Sequence, residues 1–382
     1  MTFYDVPLLV ESNPQDNATD LLLERVKKSP QHALFSRQNP DKTWRDVTAS
    51  DFLGEVRTLA KGLIASGIKP GQAVAIMSKT RYEWSMIDFA IWFAGAVTVP
   101  IYESSSPSQI EWILSDSDSV ALFIENDEHL ERVNQIRANA PRVSQIWKID
   151  SAEFTKLHQL GEAVADEVLE TARTNAKLGD LATIVYTSGT TGNPKGCELT
   201  HRSLVDHCKN AAAEIPEIAN DKQHTLIFLP MAHILARYVS VLCIYAGIRV
   251  GHLGDTKLVA EVLPVFKPTF LLAVPRVFEK VYNGAELKAE AGGKGKIFRA
   301  AAETAIEYSK ALDSKAGPSL GLKIKHGLFD KLVYSKLRAA MGGNVKYAIS
   351  GGAPLGARLG HFYRGIGLVV LEGYGLTETA AA

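Results

Sequence analysis

Short apolar runs that alternate with segments of helical spacing constrain this chain more than any other feature. Residues 73–77, 97–102, 120–124, 145–149 and 181–186 are each of strand length and rich in aliphatic or β-branched side chains. Between them lie helical stretches, one through Trp84, Ile87, Phe89 and Trp92, then 109–114 and 128–137. A strand buried on both faces reads as a continuous apolar run, and parallel strands need crossover connections. The pattern predicts a mainly parallel sheet covered by helices on both faces. Ahead of it, Phe52, Leu53, Val56, Leu59, Ala60, Leu63 and Ile64 recur at helical spacing, with Thr48 and Asp51 as a capping box and Gly67 as the stop.

The alternation resumes later, with strand candidates at 225–229, 248–252, 270–274, 345–349 and 368–371 and a long polar helix from about Lys296. Residues 284–296, which include Gly292, Gly293 and Gly295, read as a mobile surface excursion. So many strands exceed one comfortable sheet, and the expected class is α/β with two doubly wound, mainly parallel sheets flanked by helices.

A chain of 382 residues with 46% hydrophobic and 22% charged residues is an ordinary globular protein. Its 42 basic and 42 acidic residues cancel, which argues against nucleic acid or an anionic membrane as the main partner. Three cysteines, an odd number, read as cytosolic thiols. No signal peptide is visible at the start. Two stretches, 86–102 and 231–250, approach the length of a membrane span. The first contains Asp88 and Pro100, the second His233, Arg237 and Arg249, so both read as buried core and no transmembrane segment is expected.

Chemistry concentrates in three loops, each after a strand. Thr187, Ser188, Gly189, Thr190, Thr191, Gly192, Asn193, Pro194, Lys195 and Gly196 combine hydroxyl donors, glycines that let backbone N–H groups approach a ligand, and one positive charge. Such a loop suits a polyphosphate. It departs from the common phosphate loop, because Pro194 and Gly196 stand where that template needs Gly and Ser or Thr. The second loop is Ser350, Gly351, Gly352, Ala353 and Pro354. The third is Glu372, Gly373, Tyr374, Gly375, Leu376, Thr377 and Glu378. Ligands of open parallel sheets gather beyond the carboxyl ends of the strands. There Tyr374 could stack on a flat ring, Thr377 reach a phosphate, and Glu378 serve as a hard oxygen ligand for Mg²⁺.

Other candidates are weaker. Cys197, His201, His207 and Cys208 have irregular spacing and read as a helix with buried thiols. His233 is either a general base or a helix N-terminal residue, and Arg276 either pairs with a carboxylate or caps a helix. No G-x-S-x-G elbow is present.

The loop 186–196 and the run 373–379 resemble the two signature motifs of the acyl-adenylate-forming (AMP-binding) superfamily, which includes acyl-CoA synthetases, peptide-synthetase adenylation domains and luciferases. Pro230-Met231-Ala232-His233, the run from Val274 to Val281 and Arg81-Tyr82-Glu83-Trp84 resemble bacterial long-chain fatty acid–CoA ligases. The resemblance covers essentially the whole chain. It implies that residues 1–382 are an incomplete N-terminal adenylation domain, with the small C-terminal lid domain missing.

The resemblance further implies ATP-dependent conversion of a long-chain fatty acid to an acyl-adenylate and then to acyl-CoA, with coenzyme A as co-substrate. Thr187, Lys195, His233, Thr377 and Glu378 would be catalytic. Thr187 to Gly192 and Lys195 would grip the β- and γ-phosphates. Gly351, Gly352, Ala353, Pro354, Glu372, Gly373, Tyr374 and Gly375 would form the adenine pocket, with Thr377 on the α-phosphate and Thr187 and Glu378 helping to bind Mg²⁺. The family's ribose-binding Asp, basic hinge and catalytic Lys lie beyond the second motif, so the 382-residue chain alone is expected to lack efficient ligase activity. The alternatives are a medium-chain or aryl acid–CoA ligase, or a non-catalytic nucleotide- or acyl-binding module. The expected location is the cytoplasm. A substrate that partitions into bilayers makes peripheral contact at the inner membrane face reasonable, although no amphipathic basic helix is evident in the sequence.

Overall fold

The computed structural model describes residues 7–187 and 192–381. Thirteen strands occur among them. The first eight are β1 (Ala33–Gln38), β2 (Trp44–Thr48), β3 (Ala73–Met77), β4 (Val97–Ile101), β5 (Ala121–Ile124), β6 (Gln145–Lys148), β7 (Leu181–Thr187) and β8 (Lys195–Thr200). Then come β9 (His224–Ile227), β10 (Arg249–His252), β11 (Phe270–Ala273), β12 (Tyr347–Ser350) and β13 (Val369–Glu372). The chain forms two compact units. One holds the residues up to Lys222 with Leu229–Gly254 and the segment from Leu376; the other holds Gln223–Phe228 and Asp255–Gly375.

In the first unit a six-stranded sheet runs in the order β6-β5-β3-β4-β7-β8. All its pairs are parallel except β7 with β8, which form an antiparallel hairpin. Strands β3, β4 and β5 are buried along their whole length, which is why they appear as apolar runs broken only by Thr98. Beside this sheet, β1 pairs antiparallel with β2 and parallel with β10. Helix Ala49–Ala65 begins at Thr48, whose hydroxyl accepts from Asp51 N while the Asp51 side chain accepts from Thr48 N, so the expected capping box is present. Helices Tyr82–Phe93 and Ile234–Ala246, from the two long apolar stretches, are buried on nearly every side. No helix among the described residues is long and apolar enough to cross a membrane.

The second unit is built on the parallel sheet β11-β12-β13. Strand β9 lies beside β11, tied by Thr269 N donating to His224 O and by the Thr225 hydroxyl donating to Phe270 O. Residues 284–296 lie at the surface but are mostly helical. Helix Pro275–Ala291 runs straight through Gly284 because Pro275 starts it in the tolerated first turn, and Phe278 and Tyr282 anchor it one turn apart. Only Gly292, Gly293 and Lys294 break the path before helix Gly295–Leu312, with Gly293 at φ +69° supplying the left-handed step. The mainly parallel, helix-flanked α/β class is as expected. Its strands, however, divide among three hydrogen-bonded sheets where two were expected.

Candidate functional site

In the first unit the phosphate-type loop is the tip of the β7–β8 hairpin. The register pairs Thr187 with Lys195 and Tyr186 with Gly196, so Lys195 and Gly196 belong to β8 and not to a free loop. Ser188, Gly189, Thr190 and Thr191 lie outside the described residues. Gly192 sits at φ +113°, a conformation that L-residues rarely adopt. Two contacts hold the stem of the hairpin. The Trp112 indole donates to Pro194 O at 2.8 Å, and the Tyr186 hydroxyl donates to Asp116 Oδ2 at 2.6 Å. Burial and that carboxylate push the Tyr186 phenol well up, so it is a fixed neutral donor. Lys195 is exposed and forms no ion pair among the described residues, which leaves its charge available to an anion.

The end of the second motif packs onto the same hairpin. Thr377–Thr379 form a single 3-10 turn, and Ala380, which is 0% exposed, inserts among Val185, Leu199 and Ile234. His207 stacks on Tyr238 at 3.8 Å and donates from Nδ1 to Ala380 O at 3.2 Å. This anchor holds Thr377 half-buried and Glu378 exposed beside β8, near enough that the Glu378 charge helps to raise the Cys197 thiol, after burial. The Glu378 carboxylate has no hydrogen bond or ion pair among the described residues. His233 is the N-cap of helix Ile234–Ala246, with Nδ1 accepting from Leu235 N at 3.2 Å. Its pKa is lowered by dense surroundings although the residue reaches solvent, so the imidazole is neutral at pH 7, with Nε2–H free to donate.

The other glycine loops belong to the second unit. After β12, Gly352 takes φ +81°, and a Cβ there would meet only Val274 Cγ1 at 3.8 Å, so glycine serves the backbone turn and not tight packing. Gly351 is buried, and Ala353 and Pro354 are exposed. Glu372 ends β13 opposite Ser350, and its Oε1 accepts from Leu355 N at 3.2 Å. Gly373 N donates to Ser350 O at 2.8 Å, which joins the two loops side by side. Gly375 is exposed, and Tyr374 is 87% exposed, a bare aromatic face. The Ser350 hydroxyl is fully buried and has no hydrogen-bond partner among the described residues.

Among the described residues no cluster of three or more His, Cys, Asp or Glu could hold a metal. Cys208 and Cys243 are buried free thiols; of the residues read as a helix with buried thiols, Cys208 and His201 are buried in helix His201–Glu214, whereas Cys197 is half-buried in strand β8. The oxygen donors that are present, the Thr187 hydroxyl and the unpaired Glu378 carboxylate, suit a hard cation that arrives on substrate phosphates, as Mg²⁺ usually does. Arg276 pairs with Glu279 at 2.9 Å, a local surface ion pair.

Reading the sequence missed one polar group that underlies this region. Arg237, one helical turn after His233, donates from Nε and Nη2 to both oxygens of Asp88 at 2.8 and 2.6 Å. Its Nη1 donates to the Thr183 hydroxyl on β7, and its guanidinium lies over Trp92 at 5.1 Å and Trp84 at 5.5 Å. The pair ties the helix carrying His233 to the strand carrying Thr187. The signal was there: each near-membrane-length apolar stretch carries a charge of opposite sign.

The chain is 47% identical over 378 residues to the long-chain-fatty-acid–CoA ligase FadD15 of Mycobacterium bovis, covering 98% of this chain and 63% of that protein. It is 30% identical over 394 residues to long chain acyl-CoA synthetase 3 of Arabidopsis thaliana, covering 95% of this chain and 57% of that protein. The chain thus spans less than two thirds of the length of these relatives. The fold matches the inhibitor-bound N-terminal domain of FACL13 from Mycobacterium tuberculosis with a TM-score of 0.68 at 22% identity, over 96% of this chain and 77% of that one. It also matches the anthranilate CoA ligase AuaEII in complex with anthranoyl-AMP with a TM-score of 0.71 at 19% identity, over 97% and 61%. The AMP-binding enzyme family profile matches residues 22–382, and the chain belongs to that family.

Proposed function

We propose that this chain carries the nucleotide- and acyl-activating part of an ATP-dependent long-chain fatty acid–CoA ligase. The observation that carries this reading is the 47% identity, over 98% of the chain, to a relative named as such a ligase. In the proposed reaction the fatty carboxylate attacks the α-phosphorus of ATP and pyrophosphate leaves; the thiol of coenzyme A then attacks the acyl carbon of the acyl-adenylate, and AMP leaves with the proton balance passing to solvent. The bridging oxygen of the scissile Pα–O bond gains negative charge as pyrophosphate leaves, so positioned donors and cations do most of the work and no side-chain nucleophile is needed.

The residues take their roles from their chemistry. Thr187, Ser188, Gly189, Thr190, Thr191 and Gly192 donate to the β- and γ-phosphates, and Lys195 neutralises the leaving pyrophosphate. Thr377 donates to the α-phosphate. Gly351, Gly352, Ala353, Pro354, Glu372, Gly373 and Gly375 give an adenine ring a flat backbone bed, and the bare Tyr374 face stacks on it. Mg²⁺, when bound with ATP, withdraws charge from the phosphates, and Thr187 and Glu378 are the groups that would hold it. His233, neutral with Nε2–H exposed, is a donor for the carboxylate on its way to the α-phosphorus and not a base.

The test is calorimetric titration of the chain with non-hydrolysable acyl-adenylate sulfamates. Hexadecanoyl-adenylate sulfamate is expected to bind more tightly than the octanoyl and benzoyl analogues, and Tyr374→Ala to weaken all three about tenfold. Tighter binding of benzoyl or octanoyl would transfer the reading to aryl or medium-chain acids. No binding of any analogue would overturn it.

A further inference from the structure

Helix Leu320–Phe329 in the second unit contains no buried residue. Leu320 is 75% exposed, Ile324 66% and Leu328 58%, and Leu332 in the following π-helical turn Asp330–Tyr334 is 49% exposed. At four-residue spacing these side chains drift by only about 40° per step around an α-helix, so they form one stripe. The opposite side is anchored. His326 stacks on Tyr308 at 3.9 Å and bonds Gly365 O at 2.6 Å, while the buried Tyr334 hydroxyl donates to Ala301 O at 2.6 Å. The stripe is thus held outward by the packing beneath it.

Charge completes the pattern. Residues 315–340 hold Lys315, Lys323, Lys325, Lys331, Lys336 and Arg338 against the single acid Asp330, in a chain whose net charge is zero. Asp330 is engaged by Arg338, with contacts of 2.7 and 3.1 Å. All five lysines are exposed and form no ion pair among the described residues. Large apolar side chains flanked by unpaired lysines on one exposed helix are the composition of an interfacial helix that lies in the plane of an anionic bilayer. An apolar stripe awaiting a soluble partner has no need of five unpaired cations. Helix Leu320–Phe329 thus combines an exposed apolar stripe with unpaired lysines.

We propose that helix Leu320–Phe329, extended through Leu332, is a docking face for an anionic lipid surface. Leu320, Ile324, Leu328 and Leu332 enter the headgroup boundary, and Lys323, Lys325, Lys331 and Lys336 meet lipid phosphates. The inference goes beyond the ligase reading and does not depend on it, because its test measures only binding.

The experiment is flotation of the purified chain with vesicles of phosphatidylcholine containing a third phosphatidylglycerol, and with phosphatidylcholine alone. Partition to the anionic vesicles that falls as salt is raised is expected. K323Q/K325Q/K331Q should weaken it roughly fivefold per lysine, about a hundredfold together, and I324E/L328E should abolish it. K42Q/K69Q, which removes two exposed lysines of the other unit, should leave it unchanged. Circular dichroism of each variant separates lost binding from lost fold, and these exposed positions should keep the fold. No partition to anionic vesicles, equal partition to neutral ones, or indifference to both helix variants would overturn the proposal. So would sedimentation showing that I324E/L328E dissociates a dimer in a chain that does not float.

Discussion

The Asp88–Arg237 pair offers the sharpest perturbation. The side chains are 3% and 1% exposed, and the guanidinium meets the carboxylate through two parallel hydrogen bonds. Taking two charges out of water is expensive, and only their mutual attraction with full hydrogen bonding offsets it. Arg237→Met removes the cation and leaves Asp88 charged in an apolar layer beside Trp84 and Trp92. Asp88→Leu leaves the guanidinium uncompensated in the same position. Breaking a buried pair from either side costs about 3–5 kcal/mol, a large share of the ~5–15 kcal/mol that holds a domain. The double variant Asp88→Leu with Arg237→Met removes both charges and fills similar volume. Thr183 keeps a partner there because its hydroxyl also donates to Thr98 O at 2.6 Å. Its cost should therefore stay within about 1 kcal/mol, and the coupling in the double-mutant cycle should be about 3 kcal/mol or more.

Urea unfolding followed by tryptophan fluorescence measures the cycle, and the two rings over the guanidinium make the signal local. Single variants that each cost less than about 1 kcal/mol, with coupling near zero, would refute the reasoning, because the pair would then be no more than a surface ion pair in energetic terms. A second readout addresses positioning. Arg237 bonds to Thr183, four residues before Thr187, so Arg237→Met should weaken ATP binding even well below its unfolding midpoint. Unchanged affinity at that temperature would confine the pair to stability.

Three further outcomes are expected. Burial lowers both His201 and His252 to about 4, so they stay neutral in the folded chain; in the unfolded chain they protonate near 6.5. Their contribution is complete above pH 6.5 and is lost as pH falls towards 4, about 2 kcal/mol each by pH 5; urea midpoints at pH 7 and 5 check this, and His201→Asn should halve the difference. Gly365→Ala would place a Cβ 2.1 Å from the Ala305 carbonyl oxygen, so helix Ala357–Gly365 must move off helix Gly295–Leu312 at a cost of about 3 kcal/mol or more, read as a fall in the thermal midpoint. Glu378→Gln removes an exposed, unpaired carboxylate, so stability should change by less than about 0.5 kcal/mol while the Mg²⁺ concentration needed for half-maximal ATP binding rises about tenfold.

How much of this was legible in the sequence depended on burial. Strands β3, β4 and β5 stood out because both faces are covered, which leaves only the buried Thr98 to interrupt the runs. Strands β1 and β2 did not, because the half-buried Arg37 and the exposed Gln38, Arg45 and Asp46 put polar side chains into an antiparallel pair and dilute the signal. The phosphate loop was legible from composition alone, since few folds need so many hydroxyls and glycines after a buried strand. Its hairpin geometry was not, because the cross-strand register of Thr187 with Lys195 leaves no mark on local spacing.

The two charges inside the apolar stretches show why the remainder stayed hidden. Asp88 and Arg237 each argued against a membrane span, and each alone was a defect in a hydrophobic run. Their meaning lies 149 residues apart, in a contact that only tertiary structure supplies. The lysines of residues 315–340 fail in the opposite direction. Whole-chain neutrality concealed a local surplus on a segment whose backbone is helical from Leu320 to Phe329. In both cases what carries information is charge with its surroundings, a lone ion in an apolar layer or unpaired cations around an apolar stripe. A sequence displays the charge but not the surroundings, so such sites emerge only when the fold brings distant residues together.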